Sequence, residues 1–147
     1  MKKALFYGIV LLLSVVCFIF IYGVDVLDCT YVDWLLQLQS DVTSHYMGWI
    51  AYRMSAWHFP LGTVEHLMYP GYTSTIFTDS IPIFALIFKV LSPVLPDTFQ
   101  YWGIWGLCCF MLQAFFSAYI VNELTENKWA AIASSMFFIF LFMNLII

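Results

Sequence analysis

Long runs of apolar residues alternate with one extended polar region along this chain. Residues 4–23 contain no charged side chain, and neither do residues 99–121 and 129–147. Because a bilayer-spanning helix needs about 20 predominantly apolar residues, each of these runs is predicted to be a transmembrane helix. A shorter run over residues 80–96 is predicted as a fourth span. It contains Lys89, which would lie near an interface or face the protein interior.

The overall composition favours the same class of protein. Of the 147 residues, 63% are hydrophobic and 10% are charged, whereas an ordinary soluble domain has about 45–50% and about 25%. The net charge of −4 gives no support for nucleic acid as a partner, since nucleic-acid binding needs a basic surface. We therefore predict an all-α membrane protein with about four transmembrane helices, and the lipid bilayer is its first expected partner.

The polar region, residues 24–79, holds most of the groups capable of chemistry. It contains six of the nine acidic residues, all three histidines and three of the six tryptophans. This concentration predicts a large first loop that carries the functional site.

Two short helices are predicted within this loop. Asp28 to Thr30 are capping residues ahead of a helix over 31–39, and Ser40 and Asp41 can cap a second helix over residues 42–57. Both are expected to lie parallel to the membrane surface, where amphipathic aromatic residues collect. Proline and glycine then predict an irregular segment over residues 59–75.

Basic residues at the start of the chain predict its orientation. Lys2 and Lys3 precede the first apolar run and favour a cytoplasmic amino terminus, which places the loop outside the cytoplasm. A secretory signal peptide is the alternative, but the run exceeds the usual apolar length of about 7–15 residues and residues 22–24 are a poor cleavage site. The last apolar run reaches residue 147 without a polar flank, which suggests the amino-terminal part of a larger protein.

Four residues at intervals of four form one stripe on the second predicted helix: Asp41, His45, Trp49 and Arg53. Asp41 could act as a general base or metal ligand, with His45 beside it, and Arg53 could hold a phosphate. The alternative is a solvated polar face on an interfacial helix, and spacing alone does not decide between the two.

Two other groups in the loop have both a structural and a functional interpretation. Asp79 precedes Pro82, so it is expected to cap a helix, and a second catalytic carboxylate is the alternative. His58, Glu65 and His66 could bind a divalent metal, but their spacing matches no zinc pattern. His58 is expected to shape a turn or contact a substrate.

Four strings together resemble the amino-terminal region of a bacterial family of large multispanning proteins in the GT-C glycosyltransferase superfamily. The resemblance covers residues 20–121, and the strings lie at 41–49, 57–62, 77–82 and 99–103. It implies a first helix, a large extracytoplasmic loop with membrane-parallel helices, further spans, and a place in the bacterial inner membrane.

The resemblance also implies an activity. GT-C enzymes transfer a sugar from a polyprenyl-phosphate or polyprenyl-diphosphate carrier to an acceptor, such as a cell-envelope glycan. An acidic residue of the first loop activates the acceptor or holds a divalent metal ion, and Asp41 matches that position. The expected catalytic residues are thus Asp41, His45 and Asp79, and the expected substrate-binding residues are Arg53, Trp49 and His58. The chain is shorter than such enzymes, which leaves independent activity open.

Two other functions stay open at this point. The first is a small membrane protein without enzymatic activity that binds a membrane partner through its aromatic helices. The second is a transporter or flippase subunit, which is expected to line its path with polar residues inside the spans. Polar residues here lie mainly in the loop, which ranks transport last.

Overall fold

The computed structural model describes residues 3–36, 41–65 and 67–146, with the side chains described as far as residue 141. Five helices dominate it, which confirms the predicted all-α class. They are α1 (Lys3–Tyr22), α2 (Asp41–Met54), α3 (Pro82–Val90), α4 (Trp102–Thr125) and α5 (Lys128–Ile146). Two short strands, β1 (Thr63–Val64) and β2 (Thr73–Ser74), pair in antiparallel fashion, and single 3-10 turns lie at Asp25–Leu27, Thr75–Thr78 and Ser92–Val94.

The chain divides into two compact units. The helical unit comprises Met1–Leu27 and Trp102–Ile147, and the inserted unit comprises Asp28–Tyr101. The inserted unit begins and ends at one place, because the Gln100 amide donates to the Cys29 carbonyl at 2.8 Å and the Gln100 side chain donates to the Asp28 carbonyl at 2.8 Å.

The helical unit packs α1, α4 and α5 through residues spaced four apart, many of them small. Helices α4 and α5 run antiparallel: Gln113 Nε2 donates to the Phe138 carbonyl at 2.9 Å, and the hydroxyls of Ser117 and Ser134 lie 3.4 Å apart. Four-residue spacing places side chains on one face of a helix, and small residues there let helix backbones approach closely. The buried residues are Phe6, Val10, Ser14, Phe18, Phe110, Ala114, Ala118, Ala131, Ser135 and Ile139.

Large apolar side chains cover the outside of these helices, including Leu12, Phe20, Leu112, Phe116 and Phe137. In the described part of the chain, α1 and α4 are long and apolar enough to cross a membrane, judged by length and composition. The described side chains of α5, Lys128–Leu141, form a shorter apolar stretch.

The predicted span over residues 80–96 is not a continuous helix. It consists of α3 and the 3-10 turn at Ser92–Val94. The nine residues of α3 rise only about 13.5 Å, whereas the hydrocarbon core of a bilayer is about 30 Å thick. The structure therefore does not confirm the predicted fourth span. Ala85 is buried in the inserted unit, whereas several larger apolar side chains of this segment are exposed: Ile83, Ile87, Val90, Leu91 and Val94.

Helix α2 forms the centre of the inserted unit. It buries Trp49 and Tyr52, and the Trp49 ring lies 5.2 Å from the Tyr101 ring. The predicted helix over 42–57 is thus present, although it ends at Met54. Apolar burial of one α2 face stabilises the helix in this position.

No helix forms over residues 31–36, contrary to the prediction of a helix over 31–39, whose remaining residues lie outside the described ranges. The Asp28 carboxylate accepts hydrogen bonds from the Thr30 amide and hydroxyl, at 2.8 and 2.7 Å. Such side-chain bonds to the backbone favour a turn over a helix. Ser40, the predicted cap of α2, also lies outside the described residues.

Candidate functional site

Two segments far apart in sequence meet at the middle of α2, and we call this contact the His45–Ser80 junction. The Ser80 hydroxyl donates to the His45 carbonyl at 3.0 Å, and His45 Nδ1 lies 3.3 Å from the Thr78 carbonyl. The hydroxyls of Thr78 and Ser80 lie 2.7 Å apart, and Tyr101 donates its hydroxyl hydrogen to the Ser80 carbonyl. Two contacts therefore join the 78–80 turn to α2, a third lies within the turn, and Tyr101 binds the Ser80 carbonyl from outside α2.

A glycine in α2 makes this close approach possible. A Cβ placed on Gly48 would lie 2.4 Å from Thr78 Cβ and 2.6 Å from the Ser80 hydroxyl. Because glycine weakens a helix interior by about 0.5–1 kcal/mol relative to alanine, its presence here needs a compensating gain. The contact with the 78–80 turn supplies that gain.

Asp79 lies exposed at the tip of this turn. Its backbone is left-handed, with φ 48°, and so is that of Ile81, with φ 48°. The residue that caps α3 is Ile81, which makes no side-chain cap bond, and Pro82 occupies the first turn. Asp79 therefore does not cap α3, which corrects that expectation, while the predicted place of Pro82 is confirmed.

Asp41 is the first residue of α2 and is exposed. One helical turn separates it from His45, which is partly buried at the junction. A carboxylate at a helix start is stabilised by the unpaired amides and the helix dipole there. On its other side, His45 lies against the carbonyl of Thr78, the residue before Asp79.

The Arg53 guanidinium, predicted to hold a phosphate, donates to four backbone carbonyls. Its Nη1 donates to the carbonyls of Pro96 and Asp97, at 2.7 and 3.0 Å. Its Nη2 donates to those of Ser92 and Leu95, at 3.3 and 3.2 Å. The guanidinium therefore fastens the segment after α3 to the end of α2.

Trp49, the third member of the stripe, is fully buried. Its indole N–H donates to the Phe99 carbonyl at 2.9 Å. Substrate contact was its predicted role, whereas in the structure its ring packs in the core of the inserted unit.

A charged cluster surrounds the end of α2. The buried ammonium of Lys89 donates to the carbonyls of Tyr52, Ser55 and Ala56, at 2.7, 2.9 and 3.3 Å. Burial lowers the pKa of Lys89, and the nearby Glu65 carboxylate acts in the opposite direction. A cation that satisfies the last carbonyls of a helix is a stabilising cap. Of the two places predicted for Lys89, the protein interior is the observed one.

His58 and Glu65 are joined by a side-chain hydrogen bond beside this cap. His58 Nε2 lies 2.5 Å from Glu65 Oε1, and Glu65 Oε2 accepts from the Ala56 amide at 3.0 Å. The His58 ring also lies 5.6 Å from the Tyr72 ring. His58 thus helps to close the irregular segment, as predicted for a turn, and His66 lies outside the described residues.

The described residues include no cluster of side chains suited to a divalent metal ion. Within residues 3–36, 41–65 and 67–146, no group of three or more His, Cys, Asp or Glu side chains could hold a metal ion. Asp41, His45 and Asp79 therefore do not form a metal centre in this arrangement, and we assign no step to a metal.

Sequence reasoning missed the residues that build the junction: Gly48, Thr78, Ser80 and Tyr101. One signal was available, because a glycine inside a helical pattern often marks a close approach of two segments. The partner of that glycine, a turn about thirty residues later, has no comparable signal.

Comparison with known proteins identifies the family. No curated protein and no solved structure matches the chain. A family model described as a domain of unknown function (DUF6311) matches residues 11–146, which include α2, the 78–80 turn and most of the helical unit. The chain therefore belongs to the DUF6311 family.

Proposed function

We propose that this chain is the amino-terminal module of a GT-C type glycosyltransferase in the bacterial inner membrane. In this proposal α1, α4 and α5 cross the membrane, the amino terminus is cytoplasmic, and the inserted unit lies outside the cytoplasm. The donor is a polyprenyl-phosphate sugar, and the acceptor is a cell-envelope glycan. The rest of a larger membrane protein supplies further spans.

The surface of the helical unit supports membrane insertion. Small residues share the helix contacts with a few large ones, and many other large apolar side chains are exposed on the outside. This distribution suits lipid, where close backbone packing rather than apolar burial drives helix association. The charged residues of these helices, Lys3, Glu123 and Lys128, all lie within a few residues of a helix end.

The His45–Ser80 junction is the observation that carries the transferase proposal. It brings the turn with Asp79 against the same helix that begins with Asp41. His45 thus contacts the residue before the exposed Asp79 and lies one helical turn along α2 from the exposed Asp41. Such convergence is typical of acid-base sites.

In the proposed reaction, Asp41 takes the proton from an acceptor hydroxyl. The acceptor oxygen then attacks the anomeric carbon, the bond from that carbon to the carrier phosphate breaks, and the phosphate leaves with the electron pair. The configuration at the anomeric carbon inverts. His45 and Asp79 orient the acceptor, while Arg53 holds the segment after α3.

The test measures sugar transfer by the full chain. Membrane vesicles from cells that lack the gene supply acceptors, and tritiated polyprenyl-phosphate hexoses are the donors. Asp41→Asn is expected to lower transfer by about 10²–10⁴-fold, the usual contribution of a general base. Asp33→Asn, at another exposed position of the inserted unit, is the matched control and is expected to retain transfer. Equal activity of the two folded variants would remove Asp41 from the mechanism.

A further inference from the structure

An apolar pocket opens on the surface of the inserted unit, and none of its lining residues takes part in the proposed transfer. Its volume is about 190 Å³, which is space for roughly six water-sized groups. The aromatic and aliphatic side chains that line it are those of Tyr52, Leu61, Ile76, Pro82, Ile83 and Leu86.

The rim of this pocket is apolar and exposed. Leu61, Ile76 and Ile83 are 59%, 67% and 72% exposed, and they come from three separate segments of the chain. Hydrogen bonding brings the first two segments together, since the Thr75 amide donates to the Gly62 carbonyl at 2.9 Å. Exposed apolar residues that cluster around a concave surface mark a binding site.

The residues that line the pocket carry no charged side chain: none of the nine is Asp, Glu, Lys, Arg or His. A surface that docked a soluble protein would be expected to have a polar rim. Apart from the hydroxyl-bearing residues Tyr52, Ser74 and Thr75, this pocket is lined by apolar groups, which favours a ligand that is a hydrocarbon.

We propose that this pocket holds the end of an acyl chain from a phospholipid of the surrounding bilayer. The inserted unit continues at Leu27 and Tyr101 into segments that lead to α1 and α4, the two helices with the length and composition of membrane spans. A bilayer is therefore the source of hydrocarbon available to it. This proposal depends on membrane insertion and is independent of the transferase reaction.

A photolabelling experiment tests the proposal. The full chain is reconstituted in liposomes of phosphatidylethanolamine and phosphatidylglycerol that contain a small fraction of phosphatidylcholine with a diazirine at the end of one acyl chain. After illumination, mass spectrometry locates the adducts. We expect adducts at Leu61, Ile76 and Ile83, and much weaker labelling there when the diazirine is on the headgroup.

Two variants and one matched control make the result specific. Ile83→Asp and Leu61→Asp place a charge on opposite segments of the rim and are expected to lower pocket labelling about ten-fold, because burying a charge in hydrocarbon is costly. Ile87→Asp lies one turn further along α3 at a 51% exposed position outside the pocket, and is expected to retain labelling.

Other outcomes would overturn the proposal. Pocket labelling no stronger than at Val94, an exposed apolar residue elsewhere in the inserted unit, would mean that the acyl chain has no site there. Equal pocket labelling of Ile83→Asp, Leu61→Asp and Ile87→Asp would also mean that the acyl chain has no site in the pocket. Since transfer activity is not part of the readout, the transferase proposal stands or fails separately.

Discussion

The ammonium group of Lys89 lies 2.7 Å from the carbonyl oxygen of Tyr52 and 4.0 Å from the centre of the Tyr52 ring. One cation therefore satisfies the backbone and contacts the aromatic face of the same residue. Both contacts favour the charged ammonium, although burial lowers its pKa. The end of α2 thus depends on a residue of α3.

Lys89→Met is expected to destabilise the protein by about 2–3 kcal/mol, because three carbonyl groups lose a charged donor at a buried helix end. Thermal unfolding in detergent measures this change. Lys3→Met makes the same chemical change at an exposed position and serves as the control. Equal unfolding temperatures for the two variants would show that the Lys89 cap contributes no stability.

Gly48→Ala is expected to destabilise the protein by about 1–3 kcal/mol, the usual effect of overpacking, because the new methyl group would overlap Thr78. Gly8→Ala is the matched control in another helix. Nothing lies within 4 Å of a Cβ at Gly8, so that substitution is expected to strengthen α1.

A double variant makes the cause of the Gly48 effect specific. Adding Thr78→Gly to Gly48→Ala removes the overlapping Cβ and is expected to recover part of the lost stability. Additive losses in unfolding free energy would instead indicate that the two residues do not interact.

Acid is expected to weaken the turn at Asp28. Hydrogen bonds from the Thr30 amide and hydroxyl lower the pKa of this carboxyl below its ordinary value of 3.8. The carboxyl contributes stability above that ordinary value, and the contribution is lost as the pH falls through the lower pKa of the folded state.

Unfolding temperatures of the native chain and of Asp28→Ala, measured over a range of pH, test this direction. The difference between the two unfolding temperatures is expected to be constant above about pH 5 and to become smaller below pH 4. Thr30→Val removes the hydroxyl donor to Asp28. In that variant the loss of stability in acid is therefore expected to begin at a higher pH. A difference that widens in acid would contradict the assignment.

The long apolar helices could be predicted from the sequence because each is one uninterrupted run. Helices α1 and α5 lie close to the predicted ranges of 4–23 and 129–147. Helix α4 begins at Trp102 rather than at residue 99, since Phe99, Gln100 and Tyr101 are buried in the inserted unit. Over residues 80–96 the structure forms only α3 and a 3-10 turn. Hydropathy alone does not show where an apolar run is interrupted, and Pro93 cannot continue a helix.

The stripe on α2 could be predicted only in part. Four-residue spacing does place Asp41, His45, Trp49 and Arg53 on one helix. However, each step advances by about 40° around the axis beyond a full turn, so the last member lies about 120° from the first. The four side chains therefore have different surroundings: solvent, the junction, the core and the segment after α3. Tertiary contacts with the 78–80 turn carry no local signal.

The closure at Gln100 has a consequence for how such a protein can change over evolution. Asp28 and Cys29 are hydrogen-bonded to Gln100. The first and last residues of the inserted unit therefore lie close together. A segment with adjacent ends can be lengthened, replaced or deleted without shifting the flanking elements. Helices α1 and α4 can therefore accept other modules between residues 27 and 102. Replacement of the inserted unit at this point is a route to new specificity.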